Sequence, residues 1–344
     1  MPVRALKVSA SEGGQRLVAW LSAKLARPEG EVRQWLRQGK VRVAGQGCSN
    51  PNWRVRAGQP IEVELPAKVE LPSGSVRPNK PRRAARLVAD PRAAGIRICY
   101  IDEHLLVVDK PSGLTTMRHA HEIAAFGRRA KKYLPPTLQD LLPGLVEAHT
   151  GQAAGRLRAV HRLDKETSGL VVFARSALAE RSLGKQFRAH SIERVYRALV
   201  RGQAVSARLA STLVPDRGDG RRGSGPPTTP GAQHAVTHVT LLESLGAFSL
   251  VECRLETGRT HQVRIHLGEA GTPLCGERIY DRPLHGQALP DGSGIRRVAL
   301  HAATLGLDHP VTGQWLCWSS PLPADLQEAL KRLRRIARSK EPPG

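Results

Sequence analysis

The stretch His161-Arg162-Leu163-Asp164-Lys165-Glu166-Thr167-Ser168-Gly169-Leu170 runs directly into the apolar segment Val171-Val172-Phe173-Ala174. A polar turn with one aspartate thus leads into branched and aromatic residues that predict a buried strand. Such a junction can hold a reactive side chain at the edge of a cleft, because the strand fixes the backbone next to it. The spacing alone equally allows Asp164 to be a turn or cap residue, with Lys165 and Glu166 as a solvated pair.

The composition describes a large and strongly basic chain. Its 344 residues suffice for two or three domains, and 53 Lys and Arg against 30 Asp and Glu give a net charge of +23. Such an excess repels itself in a compact state, so it indicates a polyanionic partner, and arginine suits bidentate phosphate contacts. A membrane surface or an arginine-rich proteome would also explain the charge. The sequence shows no long apolar run, signal core or lipidation motif, which favours a soluble protein that binds nucleic acid.

Cysteine and histidine usage argues against a metal site. The cysteines are scattered without a Cys-x-x-Cys pair, which favours a reducing cytosol over a disulfide framework. His119 and His121 lie two apart with His104 nearby, but no cysteine or acidic cluster completes a set of ligands. We therefore expect no metal site.

Residues 12–66 have the pattern of a small helix-helix-strand domain. Apolar residues recur at helical spacing in two stretches: Leu17, Trp20, Leu21 and Leu25, then Val32, Trp35 and Leu36. Alternation predicts short strands at 41–43 and 61–65. Basic residues cluster around the second helix and the first strand: Arg33, Arg37, Lys40 and Arg42. The cluster is a candidate phosphate-facing RNA contact, and a solvated helix face explains it as well.

The rest of the chain divides into a linker, a large domain and a tail. Residues 67–95 are rich in Pro, Arg, Ala and Gly, which predicts a flexible basic linker. A domain over 96–323 follows, and 324–344 predicts an amphipathic basic helix and tail. Within the domain, alternation predicts strands and composition predicts a mobile loop. The segments are strands at 105–108, 236–242 and 251–255, arms at 300–307 and 315–318 around a turn, a short helix at 137–142, and the loop at 215–232.

The run around Asp164 resembles the signature of the RluA-type pseudouridine synthases, in which the aspartate is catalytic. Further segments resemble the same family in the expected order: Lys110-Pro111-Ser112-Gly113-Leu114, Arg194-Val195-Tyr196-Arg197-Ala198, Thr257 to Leu267, His301-Ala302 and His309-Pro310. Residues 14–65 are similar to the RNA-binding domain named after small-subunit ribosomal protein four. The resemblance implies an α+β protein whose catalytic domain has a mixed, mainly antiparallel central sheet and a cleft.

The resemblance also assigns roles to residues. Asp164 would be the nucleophile or a base that starts elimination, and Arg264 its ionic partner. Tyr196 would stack on the uracil or assist a late proton transfer, and Arg162 would fill the space left by the flipped base or only contact phosphate. A surface salt bridge remains the plain alternative for Arg264, and a half-buried strand residue that for Tyr196. Thr260 as a cap and Gly271 as a stop favour a short helix around Arg264, although the segment also alternates like a strand.

The implied function is conversion of specific uridines to pseudouridine in structured RNA, by a cytoplasmic monomer without a cofactor. The resemblance of residues 14–65 to family members acting on ribosomal RNA favours large-subunit ribosomal RNA, with transfer RNA as the alternative. A non-catalytic RNA-binding assembly factor would not need Asp164, Tyr196 and Arg264 together. A hydrolase using Asp164 with Glu166 is the third possibility, but two carboxylates so close on a turn need not converge on one bond.

Overall fold

The computed structural model describes residues 3–25, 27, 32, 35–36, 38–50, 53–64, 95–127 and 133–339, without the side chains of Ser11, Ala120 and His121. The chain forms two compact units, Met1–Asn79 and Lys80–Gly344. Residues 65–94, on which nearly all of the predicted linker falls, lie outside the described part of the chain. No helix within the described ranges is long and apolar enough to cross a membrane.

The first unit is a small antiparallel sheet with helical residues packed against it. Its elements are β1 (Val3–Lys7), a 3₁₀ turn (Ala10–Glu12), α1 (Leu17–Leu25), β2 (Val41–Val43), β3 (Gln46–Gly47) and β4 (Pro60–Glu64). The strand order is β1-β4-β2-β3, so the sheet includes a strand that precedes the predicted start at residue 12. The predicted helical pattern is confirmed for α1, whose residues Leu17, Trp20 and Leu21 are fully buried against Ile61 and Val63.

The predicted second helix falls largely on residues outside the described part of the chain. Val32, Trp35 and Leu36 are described as helical and buried in the same core. Arg33 and Arg37 are not described.

The second unit is built on one eleven-stranded sheet. Its strands are β5 (Arg97–Ile101), β6 (Leu105–Lys110), β7 (Arg158–Ala159), β8 (Ser168–Ala174), β9 (Glu193–Arg201), β10 (Ala207–Val214), β11 (Gly223–Ser224), β12 (Gln233–Leu245), β13 (Phe248–Leu255), β14 (Leu300–Asp308) and β15 (Trp315–Ser319). Its helices are α2 (Ala120–Phe126), α3 (Leu138–Thr150), α4 (Ala177–Arg188), α5 (Gln262–Glu269) and α6 (Ala324–Arg338).

The order of the main sheet is β11-β10-β12-β13-β9-β14-β8-β6-β5, with β15 beside β14 and β7 beside β8. β8 and β14 are parallel, and the other described pairs are antiparallel. The predicted fold class, α+β with a mixed and mainly antiparallel sheet, is therefore confirmed.

β8 shows why the stretch 161–174 determines this architecture. All its residues are buried, and their alternation divides them between two apolar cores. Val171 and Phe173 pack into the core that includes residues of α3, whereas Leu170, Val172 and Ala174 pack into the core that includes residues of α4. Full burial of a valine or leucine side chain contributes about 1.5–3 kcal/mol, so this strand stabilises both layers.

Most of the other local predictions are confirmed. β14 and β15 form the predicted hairpin, and α6 covers the predicted tail helix. The helix predicted at 137–142 is longer: Thr137 caps α3, which runs to Thr150. The segment 215–232, predicted as a mobile loop, makes specific contacts, because Arg217 is buried against Asp219 and β11 pairs with β10.

Candidate active site

The turn that carries Asp164 is anchored through its backbone. The anchoring groups belong to the end of β6 and the loop after it: Thr116 Oγ1 donates to the carbonyl of Leu163 (2.8 Å), Lys110 Nζ and the Gly113 N–H to that of Lys165 (3.2 and 2.8 Å), and Ser112 Oγ to that of Glu166 (2.6 Å). The Asp164 side chain makes no bond in this set and remains 20% exposed. The turn is thus held while its carboxylate stays open to a ligand.

A glycine allows this turn to approach the centre of the sheet. Gly169 has φ +114°, and a Cβ there would lie 2.3 Å from the carbonyl oxygen of Ala302. The same residues pair in the parallel contact between β8 and β14. A side chain at position 169 would therefore push apart the two strands beside Asp164.

Tyr196 lies on β9, opposite Ala302 of β14 and Cys253 of β13, and only 9% of it is exposed. Burial raises the pKa of Tyr196 to about 12, and the negative charge of Asp164 adds to this effect against the neighbouring Arg194. The phenol therefore keeps its proton at neutral pH.

Arg264 lies on α5, which confirms the predicted short helix. The helix begins after His261 rather than at the predicted cap Thr260, and His261 has a left-handed backbone (φ 59°, ψ 18°). Gln262 ties the helix to the sheet: its amide donates to the Val236 carbonyl and to Thr237 Oγ1, both at 2.9 Å. A non-glycine residue held in this conformation beside a cavity is typical of functional sites.

Arg264 contacts two carboxylates. Its Nε and Nη2 donate to Glu277 at 2.7 and 2.8 Å, whereas Nη1 lies 3.7 Å from Asp164 Oδ2. The predicted contact with Asp164 is present, but Glu277 is the closer ionic partner. Burial by itself would raise the pKa of Glu277, but the bonds and charge of Arg264 outweigh it and hold that pKa below its ordinary value.

His261 approaches the other oxygen of Asp164. Its Nε2 lies 3.8 Å from Oδ1, and its Nδ1 is 2.7 Å from the hydroxyl of Tyr280. Burial lowers the pKa of His261 although the negative charge of Asp164 opposes this. The imidazole is therefore neutral near pH 7.

These side chains meet in a cavity of about 390 Å³. Asp164, Tyr196, Arg264 and Arg162 all line it, so four of the predicted site residues come together. The lining also includes a group of further cationic side chains: Arg188, Arg194 and Arg259. Among the described lining residues Asp164 is the one carboxylate. The cavity therefore suits an anionic ligand that the arginines bind and on which a single carboxylate can act as an acid, base or nucleophile.

The predicted RNA contacts lie partly at this cavity and partly in the first unit. Arg162 is exposed at the cavity, with its guanidinium nitrogens 3.2–3.3 Å from the ring nitrogens of His119. Lys40 and Arg42 belong to the first unit, where Arg42 is exposed and 4.0 Å from Glu64. Glu166, the partner required by the hydrolase alternative, is not among the residues that line the cavity.

Several residues of the site were not predicted. Lys110 was recognised only as part of a motif, yet its ammonium is fully buried against the carbonyls of Pro111, Leu114 and Lys165. Burial lowers the pKa of Lys110 to about 7, against the opposing charge of Asp164. Glu277 and Tyr280 carry no sequence signal, because no periodic pattern links them to α5.

The chain is similar to known proteins over most of its length. Residues 104–269 match the family model described as RNA pseudouridylate synthase, and residues 15–61 match the S4 domain. A ribosomal large subunit pseudouridine synthase D from Xanthomonas campestris pv. campestris is 32% identical over 312 residues, covering 88% of this chain and 84% of the relative. A ribosomal large subunit pseudouridine synthase C from Escherichia coli K12 is 32% identical over 342 residues, covering 96% and 97%.

A solved structure shows the same relationship. The human RNA pseudouridylate synthase domain containing 4 protein aligns with a TM-score of 0.56 at 27% identity, covering 71% of this chain and 95% of that chain. The predicted family and the predicted type of N-terminal RNA-binding domain are thus both confirmed. The chain belongs to the RNA pseudouridylate synthases, isomerases that here carry an N-terminal S4 domain.

Proposed function

We propose that this protein converts specific uridines of large-subunit ribosomal RNA to pseudouridine, with Asp164 as the residue that carries the chemistry. The observation that supports this best is the cavity itself, in which one carboxylate faces Arg264 and lies among further arginines. The reaction breaks the bond from ribose C1′ to N1, forms one from C1′ to C5 of the same uracil, and replaces the proton lost from C5 by one gained at N1. It needs a carboxylate and a pocket for the detached base, and it involves no net oxidation or hydrolysis.

The roles follow from the environment of each side chain. Asp164 is partly exposed and anchored only through its turn, so it can attack C1′ as a nucleophile or remove a ribose proton as a base. Arg264 stabilises its ionised form. Tyr196 is protonated and buried, which suits packing against the uracil and hydrogen bonding to it. Arg162, exposed beside the cavity, is the side chain placed to fill the gap left by the flipped base.

The substrate is proposed from the relatives and from the charge. Two relatives that align over most of this chain carry names referring to the ribosomal large subunit. The S4 domain and the net charge of +23 suit a structured polyanion. The same proposal places the protein in the cytoplasm, with the RNA that it would modify.

The decisive experiment maps pseudouridines in ribosomal and transfer RNA from a strain that lacks this protein. We expect at least one site of large-subunit RNA to lose its pseudouridine, to regain it with the wild-type gene, and not to regain it with Asp164→Asn. Loss confined to transfer RNA would replace the proposed substrate. Full rescue by Asp164→Asn would exclude Asp164 as the catalytic group.

For the first unit we propose that Lys40 and Arg42 contact RNA phosphates. Each phosphate contact that is lost should reduce the slope of log K against log salt by about 0.7–0.9. The double variant Lys40→Ala/Arg42→Ala should therefore bind the mapped RNA more weakly and with a shallower salt dependence, whereas the single-turnover rate at saturating enzyme stays unchanged. An unchanged salt slope would remove both residues from the RNA contact.

A further inference from the structure

The turn of residues 277–280 contacts both Arg264 and His261, the two side chains that face Asp164. Glu277 binds the Nε and Nη2 of Arg264, and the hydroxyl of Tyr280 binds Nδ1 of His261. The atoms left over, Arg264 Nη1 and His261 Nε2, face the two oxygens of Asp164 at 3.7 and 3.8 Å. Neither Glu277 nor Tyr280 is among the residues that line the cavity. Both would therefore act through other side chains.

The turn is fixed as firmly as a positioning element requires. The Glu277 side chain is fully buried, and its Oε1 also accepts the backbone N–H groups of Arg278 and Ile279 at 3.0 and 2.9 Å. Gly276, which precedes it, has φ +75°, and a Cβ there would lie 1.9 Å from the carbonyl oxygen of Arg297. These contacts leave Glu277 little freedom to follow Arg264 if Arg264 moves.

α5 packs directly on the same turn. A Cβ at Gly268 would lie 2.2 Å from the carbonyl oxygen of Tyr280, so the helix backbone can approach the turn only because residue 268 is glycine. The Arg264 guanidinium also lies over the Tyr280 ring, 5.3 Å from its centroid. The helix that carries Arg264 and the turn that holds it therefore form one packed body.

The arrangement resolves a conflict in the site. A guanidinium beside one buried carboxylate tends to form a close bidentate pair with it, which would occupy both oxygens. Here Nε and Nη2 of Arg264 form the bidentate pair with Glu277, and Asp164 receives only the longer contact from Nη1. Resting on the proposed function, we propose that Glu277 and Tyr280 are positioning residues that hold Arg264 and His261 back from Asp164, so that its oxygens stay open to the substrate.

The proposal predicts a direction for the pH dependence. The charged and titratable groups around Asp164 are Arg264 on α5, His261 directly before α5, Tyr196 on β9, Lys110 at the end of β6, and Tyr280. Glu277→Gln removes the carboxylate that binds the guanidinium fork, so Arg264 closes on Asp164. The closer cation then favours the charged carboxylate and occupies its oxygens. Arg264→Ala removes the cation and should move the acid limb of the rate profile the opposite way.

The test measures the single-turnover rate of pseudouridine formation against pH, with the full-length protein and the mapped RNA. We expect Glu277→Gln to lower the plateau rate about tenfold to a hundredfold and to move the acid limb to lower pH, with unchanged RNA affinity. The matched control is Glu243→Gln, because Glu243 forms the same bidentate pair with Arg334 on the surface. It should behave like wild type.

Tyr280→Phe keeps the test decisive if Glu277→Gln does not fold, since it removes only the hydroxyl. It should lower the same rate several-fold without changing RNA affinity. Wild-type rates and an unmoved acid limb in the variants that fold would overturn the positioning role, while an active wild type and an inactive Asp164→Asn would leave the proposed function intact. A wild-type protein inactive on ribosomal and transfer RNA would overturn both.

Discussion

The two walls of the cavity are held in different ways. The wall that carries Asp164 is anchored by hydrogen bonds to backbone carbonyls, and the aspartate side chain makes its nearest charged contacts at 3.7 and 3.8 Å. The wall formed by α5 is held through side chains, because Arg264 is bound at 2.7 and 2.8 Å to the buried Glu277. Asp164, the proposed reactive group, is thus left free on a fixed backbone, whereas Arg264 is itself fixed.

This difference predicts how the two walls respond to substitution. A buried ion pair has already lost its hydration, so removing one member leaves an uncompensated charge in the interior. A backbone anchor loses one or two neutral hydrogen bonds, and its cost depends on whether water can replace them. Changes on the α5 side should therefore reduce the free energy of unfolding the most. On the turn side, the loss should increase with the burial of the hydrogen bond that is removed.

The largest effect is expected for Arg264→Ala. Removing one partner of a buried pair costs about 3–5 kcal/mol, because the Glu277 carboxylate is left without its cation. Urea unfolding should show this loss. The matched change Arg334→Ala on α6 breaks an exposed pair with Glu243 and should cost about 0–1 kcal/mol. Equal losses in the two variants would mean that burial does not distinguish these pairs.

The role of Glu277 also shows where sequence analysis fails. β8 and α6 could be predicted because alternation or helical spacing is a local property of the chain. The bond from Arg264 to Glu277 is a tertiary contact between a helix and a turn, and no spacing rule connects them. The contacts of 215–232 could not be predicted from composition for the same reason, because Ser224 binds Glu269 of α5, 45 residues further along the chain. Family resemblance indicated candidate reactive side chains but not the groups that bind them.

Thr116→Val tests a fully buried anchor of the Asp164 turn. Thr116 is fully buried, and its hydroxyl donates to the carbonyl of Leu163 and accepts from its N–H at 3.1 Å. The isosteric valine leaves both backbone groups unpaired away from water, which should cost about 1–3 kcal/mol in urea unfolding. Thr150→Val at the exposed end of α3 serves as the control. A loss no larger than that of Thr150→Val would show that the turn does not depend on this anchor.

His161→Gln tests the turn by pH. Burial lowers the pKa of His161 to about 3, with the charge of Arg194 adding to the effect, and Nε2 accepts the Val172 N–H at 3.0 Å. Below the unfolded-state pKa of about 6.5, the unfolded chain binds a proton that the native ring does not bind. The free energy of unfolding therefore decreases as the pH is lowered, by up to about 1.4 kcal/mol per pH unit, until about pH 3. The glutamine keeps an acceptor but cannot titrate.

As the pH is lowered from 6.5 to 4.5, the free energy of unfolding should therefore decrease more steeply for wild type than for His161→Gln. The difference between the two slopes should correspond to about one bound proton. Unfolding free energies at a series of pH values measure this difference. His149→Gln, an exposed change in the last turn of α3, should retain the wild-type slope. Parallel slopes for wild type and His161→Gln would show that His161 titrates normally in the folded protein.

The smallest effect is expected for Ser112→Ala, at the outer end of the same set of anchors. Its hydroxyl donates to the carbonyl of Glu166 at 2.6 Å, but that bond is exposed, and Arg297 Nη1 reaches the same carbonyl at 3.4 Å. Water and Arg297 can therefore replace the lost donor, so the free energy of unfolding should fall by less than about 1 kcal/mol. Urea unfolding measured beside Thr116→Val gives the comparison. If Ser112→Ala costs as much as Thr116→Val, the number of anchors rather than their burial holds the turn, and the proposed contrast between the walls fails on the turn side.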